Sequence, residues 1–195
     1  FFKFENKYIL SASPERFLAK RSSQLISQPI KGTAKRGQTE QEDHEIIQSM
    51  LSSNKEIAEN VMIVDLVRND LTRSAVPKSV KANRLFEIHT FKLVHQMIST
   101  ITCEIKSDVS NLEVIKNTFP AGSMTGAPKI AAMRICDQVE SAQRGVYAGS
   151  IGYFAPNGDF DFNVVIRTIL YNAENSYLSF QTGGAITYQA DAESE

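Results

Sequence analysis

Over residues 1–30, apolar and polar positions alternate in short runs, predicting three strands at 1–4, 8–13 and 25–30 separated by Glu5-Asn6-Lys7 and Ser13-Pro14. The pattern then changes period. Residues 42–52 and 54–71 carry helical spacing, and Ser53 with Glu56 three positions on forms a capping box for the second helix. Val61-Met62-Ile63-Val64 inside that helix is apolar on every face, which predicts a core helix surrounded by protein. Residues 76–106 mix strands with a turn, most clearly a strand at 97–105. A short helix at 111–118 leads into a glycine-rich loop, and Pro128 suits the first turn of a helix running to about 139. Sheet returns at 147–154, 160–171 and 177–182, with Asn157-Gly158 and residues 172–175 as turns, a meander of hairpins. With no regular βαβ alternation, the expected class is α+β built on antiparallel sheet.

Composition narrows the function. A chain of 195 residues that is 42% hydrophobic can bury a real core. A net charge of −1, from 21 basic and 22 acidic residues, gives no field for gripping nucleic acid or an anionic membrane, so a small-molecule partner is expected. Cys103 and Cys136 have neither metal-type spacing nor the makings of a disulfide framework. No apolar run approaches the ~18 residues of a membrane span, and a soluble cytoplasmic protein is expected. Because the chain starts at Phe1 in a strand-like pattern and stops at Glu195 without a closing element, it reads as a fragment.

Several positions could carry chemistry. Lys31, in Gln28-Pro29-Ile30-Lys31-Gly32-Thr33, offers an amine, and Glu15, in Ser13-Pro14-Glu15-Arg16-Phe17, offers a carboxyl that can protonate a leaving group. Glu56 and Glu59 lie three apart on the core helix and project from one face, as hard oxygen ligands for a cation such as Mg²⁺ would. A capping Glu56 and a Lys55–Glu59 pair is the plainer reading of the same residues. Asp65, Arg68, Asn69 and Asp70 read as a structural polar network.

The loop Phe119-Pro120-Ala121-Gly122-Ser123-Met124-Thr125-Gly126-Ala127-Pro128-Lys129 feeds a helix N-terminus that favours anions, or is a tight turn with a Ser or Thr cap. Arg167 follows Val164-Val165-Ile166 in an expected central strand, where its guanidinium needs Asp161 or a substrate carboxylate. Gly183-Gly184-Ala185 would admit a ligand close to backbone amides, or bend a strand. His44, His89 and His95 show no metal-ligand spacing and are assigned no chemistry.

In combination and in order, these segments are specific. With Ala58-Glu59-Asn60-Val61-Met62-Ile63-Val64-Asp65-Leu66-Val67-Arg68-Asn69-Asp70, Tyr147-Ala148-Gly149-Ser150-Ile151-Gly152-Tyr153 and Ile166-Arg167-Thr168, the chain resembles the chorismate-utilising enzymes, and among them the aminodeoxychorismate synthase component I branch. The resemblance covers nearly all of residues 1–195 as one catalytic domain, while family members carry a further N-terminal region and more helix at the C-terminal side. It implies an α/β sandwich of antiparallel sheets flanked by helices, with a Mg²⁺-dependent site for chorismate. By position, Glu59 and Glu195 resemble the metal glutamates, with Glu56 supporting or sharing. Tyr147 and Arg167 resemble ring-side and substrate-carboxylate contacts, and Gly32, Thr33, Ser123, Gly183, Gly184 and Ala185 the rest of the lining. Gln96 stands where the family commonly has histidine, and an amide cannot shuttle a proton.

The resemblance further implies amination of chorismate at C4. Mg²⁺ would neutralise the ring carboxylate, Glu15 protonate the departing 4-hydroxyl, Lys31 attack C2, and ammonia add at C4 as the lysine leaves. Ammonia would come from a separate glutamine amidotransferase subunit. A neutral lysine nucleophile is demanding: from a reference pKa of ~10.4 it costs roughly 4–5 kcal/mol at pH 7 unless burial helps. Glu15 needs the opposite, a raised pKa. An anthranilate synthase, an isochorismate or salicylate synthase, and a non-catalytic binding module are the competing readings.

Overall fold

The structure, a computed structural model, describes residues 1–188. Its strands pair antiparallel in two sheets. The smaller has the order β1 (Phe2–Phe4), β2 (Lys7–Ser11), β10 (Thr168–Asn172), β11 (Tyr177–Phe180). In the larger, β5 (Ile30–Lys35), β7 (Val94–Glu104), β4 (Gln24–Gln28), β3 (Arg16–Arg21), β9 (Phe160–Val164) and β8 (Ser150–Phe154) follow in order, with β6 (Lys81–Thr90) on the other edge of β7. Pro29 separates β4 from β5, and both run along the same edge of β7, because proline has no N–H to give a ladder.

The helices are α1 (Glu40–Ser52), α2 (Asn54–Thr72), α3 (Asn111–Thr118) and α4 (Lys129–Val139). Their starts follow their caps. Thr39 caps α1, Ser53 Oγ accepts from the Glu56 amide at the head of α2, and Ser110 with Glu113 completes a capping box on α3. α2 lies over β5, β6 and β7, burying Asn60, Ile63, Val64, Val67, Asp70 and Leu71 along one stripe. It is not apolar-enclosed on all sides as its sequence suggests: Val61 is 43% exposed. Ile63, Val64 and Leu71 join Phe17, Leu18, Leu25, Ile101, Val114, Phe160 and Val164 in the core.

Two expected sheet features are corrected. β3 is absent from the sequence pattern, because a bulge at its start breaks the alternation and leaves Phe17, Leu18 and Ala19 buried in succession. The run at 160–171 is not one strand in a meander. Arg167, at φ +50°, turns the chain between β9 and β10, so one apolar run serves both sheets. Arg167 is therefore exposed at a junction rather than inside a central strand.

Candidate active site

A second bulge places Lys31. The β5–β7 register passes from Ile30↔Ile98 to Thr33↔Gln96, so Lys31 and Gly32 together face one step of β7. Two consecutive residues are thereby aimed at α2, which a regular pleat forbids. Lys31 Nζ stands 3.8 Å from Glu59 Oε2, with the two side chains 16% and 11% exposed. Gly32 adopts φ +91°, and a Cβ there would come within 2.9 Å of Glu56 Oε2. The glycine is needed both for its backbone angle and for its lack of a side chain. Thr33 is exposed beyond the bulge, and its partner Gln96 is buried.

Glu15 immediately precedes β3, its carbonyl accepting from the Val164 amide at 3.0 Å. The residue is only 6% exposed. Burial pushes its carboxyl up to about 7, while Ser123, the Lys31 charge and the Ile30 backbone draw it partly back. The Ser123 hydroxyl is buried and has no hydrogen bond of good geometry, so it is held beside this carboxyl without a stronger competitor. Ser123 sits on a single 3-10 turn, Gly122–Met124, and Gly122 lets that turn close on Leu66, whose Cδ2 would meet a Cβ at 2.8 Å.

The segment after β11 returns across the site. Gly183 backs against Tyr147, where a Cβ would lie 2.8 Å from the phenol oxygen, and Thr187 Oγ1 donates to Glu59 Oε1 at 3.2 Å. Gly184 and Ala185 lie between these contacts. Tyr147 belongs to a run of turns rather than to β8, since the Tyr147 amide donates to the Arg144 carbonyl and Ala148 has φ +63°. Burial raises the Tyr147 phenol, partly offset by Arg144.

The expected metal ligands divide. Glu56 and Glu59 supply two carboxylates on the face of α2 turned toward Gly32 and Lys31, and Glu195 lies outside the described residues. Among the described residues no three His, Cys, Asp or Glu side chains cluster as a metal site. The two-carboxylate set still suits a hard cation that keeps positions for substrate and water.

The glycine-rich loop does not leave its lysine free for an anion. Lys129 Nζ donates to Asp70 Oδ2 and to the Thr118 carbonyl, both at 2.8 Å, and α4 has no side-chain cap. Arg68 pairs with Asp65 at the surface instead of joining Asp70. Asp161 is taken by Arg16 and Arg21, and Arg167 has no ion pair among the described residues.

Sequence reasoning missed two features. Nothing local marked Thr187. His95, assigned no chemistry, is buried with Nε2 2.8 Å from Asp43 Oδ1 and Nδ1 2.9 Å from Thr90 Oγ1. Arg36 binds the same carboxylate, and these hydrogen bonds hold Asp43 well below the usual carboxylate range. The network fastens the end of β5 to α1 and β7.

Comparison with known proteins supplies a family. A model described as chorismate binding enzyme matches residues 1–195. The chain is 44% identical to an aminodeoxychorismate synthase from Streptomyces griseus over its whole length, which is 27% of that relative. It is 41% identical to aminodeoxychorismate synthase component 1 of Escherichia coli, again over all of this chain and 43% of the relative. Anthranilate synthase component I from Streptococcus pneumoniae TIGR4 superposes with a TM-score of 0.77 at 35% identity, covering 86% of this chain and 36% of that one. The chain thus spans less than half the length of these relatives. No helix among the described residues is long and apolar enough to cross a membrane.

Proposed function

This chain belongs to the chorismate binding enzymes, and we propose that it carries the catalytic groups for aminating chorismate at C4, yielding 4-amino-4-deoxychorismate for p-aminobenzoate and folate synthesis. The observation that carries the reading is Lys31 on its bulge: a largely buried amine facing α2, electrostatically coupled to a carboxyl that titrates at about 7.

In this reading Glu15, protonated below about pH 7, gives its proton to the 4-hydroxyl, which leaves as water. Neutral Lys31 forms a bond to C2 as the ring double bonds shift. Ammonia then bonds to C4, the double bonds shift back, the C2–nitrogen bond breaks, and the surplus proton returns to the Glu15 carboxylate. Net, chorismate and ammonia give aminodeoxychorismate and water. Splitting one substitution into two is what a covalent intermediate contributes. Tyr147, Gly183, Gly184 and Ala185 flank the substrate, with Gly32, Thr33 and Ser123 completing the lining and Arg167 supplying a cation for a carboxylate at the sheet junction. Glu59 and Glu56, with Glu195, would hold Mg²⁺. When bound, that ion supplies Lewis-acid stabilisation of the substrate carboxylate. Ammonia is supplied by a glutamine amidotransferase subunit, and the enzyme works in the cytoplasm.

The test is Lys31→Ala in the full-length protein, assayed with chorismate, ammonium and Mg²⁺. Abolished aminodeoxychorismate formation, together with a substrate-derived mass on Lys31 in quenched wild-type protein, supports the reading. Undiminished formation removes the covalent role. Anthranilate as the wild-type product would instead favour the anthranilate synthase reading, which the similarity to a component I of that enzyme keeps in view.

A further inference from the structure

Two cavities share one wall. The first holds Glu15 together with Ser27, Asp70, Ala121 and Ser123; the second is an open cleft lined by Met124, Cys136, Glu140, Arg144 and Tyr147. The turn Gly122–Met124 divides them, showing Ser123 to the Glu15 side and Met124 to the cleft. What fixes this turn therefore fixes the polar neighbour of Glu15.

Its upstream end is anchored by Lys129, which binds the Thr118 carbonyl and Asp70. From the cleft side, Arg144 Nη1 donates to the Met124 carbonyl at 2.6 Å, while its Nε and Nη2 bond to the Glu140 carboxylate. Glu140 follows the last turn of α4, so the guanidinium ties that helix to the carbonyl next to Ser123. A planar fork that already spends two donors on a carboxylate has its remaining direction set, unlike a lysine ammonium.

We infer that Arg144 is a positioning residue for the acid: it clamps the Met124 carbonyl and so keeps the Ser123 hydroxyl against the Glu15 carboxyl. The inference rests on the proposed role of Glu15 as proton donor. Arg144 does not reach Glu15 itself. The charged and titratable groups around that carboxyl are Lys31 on β5, Asp70 with its partner Lys129 at α2 and α4, and Arg16 next to it in β3. Tyr147 also feels Arg144, and its phenol contributes to any pH profile only well above neutrality.

Ser123 favours the ionised carboxyl, so releasing it moves Glu15 further up. The experiment is the pH profile of kcat/KM for chorismate amination by the full-length protein. Arg144→Gln should move the basic limb to higher pH, as should Ser123→Ala, and the double variant should move no further than Ser123→Ala alone. Arg144→Lys, which keeps a cation and N–H donors without the planar fork, should bring the limb only part of the way back toward wild type. An unmoved limb in R144Q, or a shift that adds to that of S123A, overturns the inference. If R144Q does not fold, E140Q at the exposed end of the clamp carries the test: a limb shifted upward supports the inference and an unmoved limb overturns it. Glu15→Gln separates the two levels. A basic limb that survives in E15Q refutes the acid role itself, whereas a limb lost in E15Q but untouched in R144Q refutes only the clamp.

Discussion

Two lysine–carboxylate pairs join α2 to the rest of the molecule, and they are built differently. Lys129 meets Asp70 at 2.8 Å with the Thr118 carbonyl as a second acceptor at 2.8 Å. Lys31 stands 3.8 Å from Glu59. Both are shielded, with side-chain exposures of 11% and 5% in the first pair and 16% and 11% in the second. Burial alone therefore does not distinguish a structural lysine from the one proposed to react. The distinction lies in how fully the amine is bound: Lys129 gives two hydrogen bonds at 2.8 Å to internal partners, whereas Lys31, on a bulge facing α2, stands 3.8 Å from Glu59.

The sharpest break between the pairs is in activity. Lys31→Met should lower aminodeoxychorismate formation by the full-length protein by on the order of 10³-fold or more, with little change in its melting temperature. A comparable loss of stability would show that Lys31 is a second Lys129.

Lys129→Met should do the reverse. Leaving Asp70 buried without its cation should cost roughly 3–5 kcal/mol in urea unfolding, and Asp70→Asn in the same chain should recover part of it. Activity per folded molecule should fall far less than in Lys31→Met.

Glu15 sets a pH signature beside Lys31. Its folded-state carboxyl, at about 7, lies above the ordinary value of 4.5, so the folded state binds the extra proton between these limits and stability falls as pH rises through them. Glu15→Gln removes that penalty. The variant should gain up to roughly 3 kcal/mol over wild type above about pH 8 and almost nothing below about pH 4, read from melts across that range. A pH-independent difference would mean that the carboxyl titrates normally.

The smallest effect tests the bulge. Gly32→Ala forces a side chain onto φ +91° against Glu56, and should cost about 1–3 kcal/mol of stability. The displaced Lys31 should lower kcat more than it raises KM.

What was legible in the sequence was whatever is decided locally. The starts of α2 and α3 follow from Ser53 and Ser110, residues that bond their own helix ends. The antiparallel α+β class followed from period-two runs, and the family from motifs kept in order. Features set by a single backbone residue or by distant partners were hidden. The bulge at the head of β3 erased its alternation, one left-handed residue at Arg167 split an apolar run between two sheets, and Asp43 with His95 meets only after folding. The Lys129 contacts were hidden for the same reason, since Asp70 and the Thr118 carbonyl reach it only after folding. Glu15, Lys31 and Glu59 are legible from their motifs and Glu56 from its spacing to Glu59, whereas Thr187 and Arg144 act through contacts that no local pattern encodes.

The bulge at Lys31 and Gly32 also bears on how such a protein can change over time. Ladder pairing fixes Ile30 and Thr33 and passes over the residues between them. The side chain at position 31 can therefore be exchanged without altering strand register, so mutations that redirect the chemistry need not be mutations that endanger folding. An engineer would find the same freedom there: amines of other lengths or basicities could be installed at this position while the sheet around them is built as before.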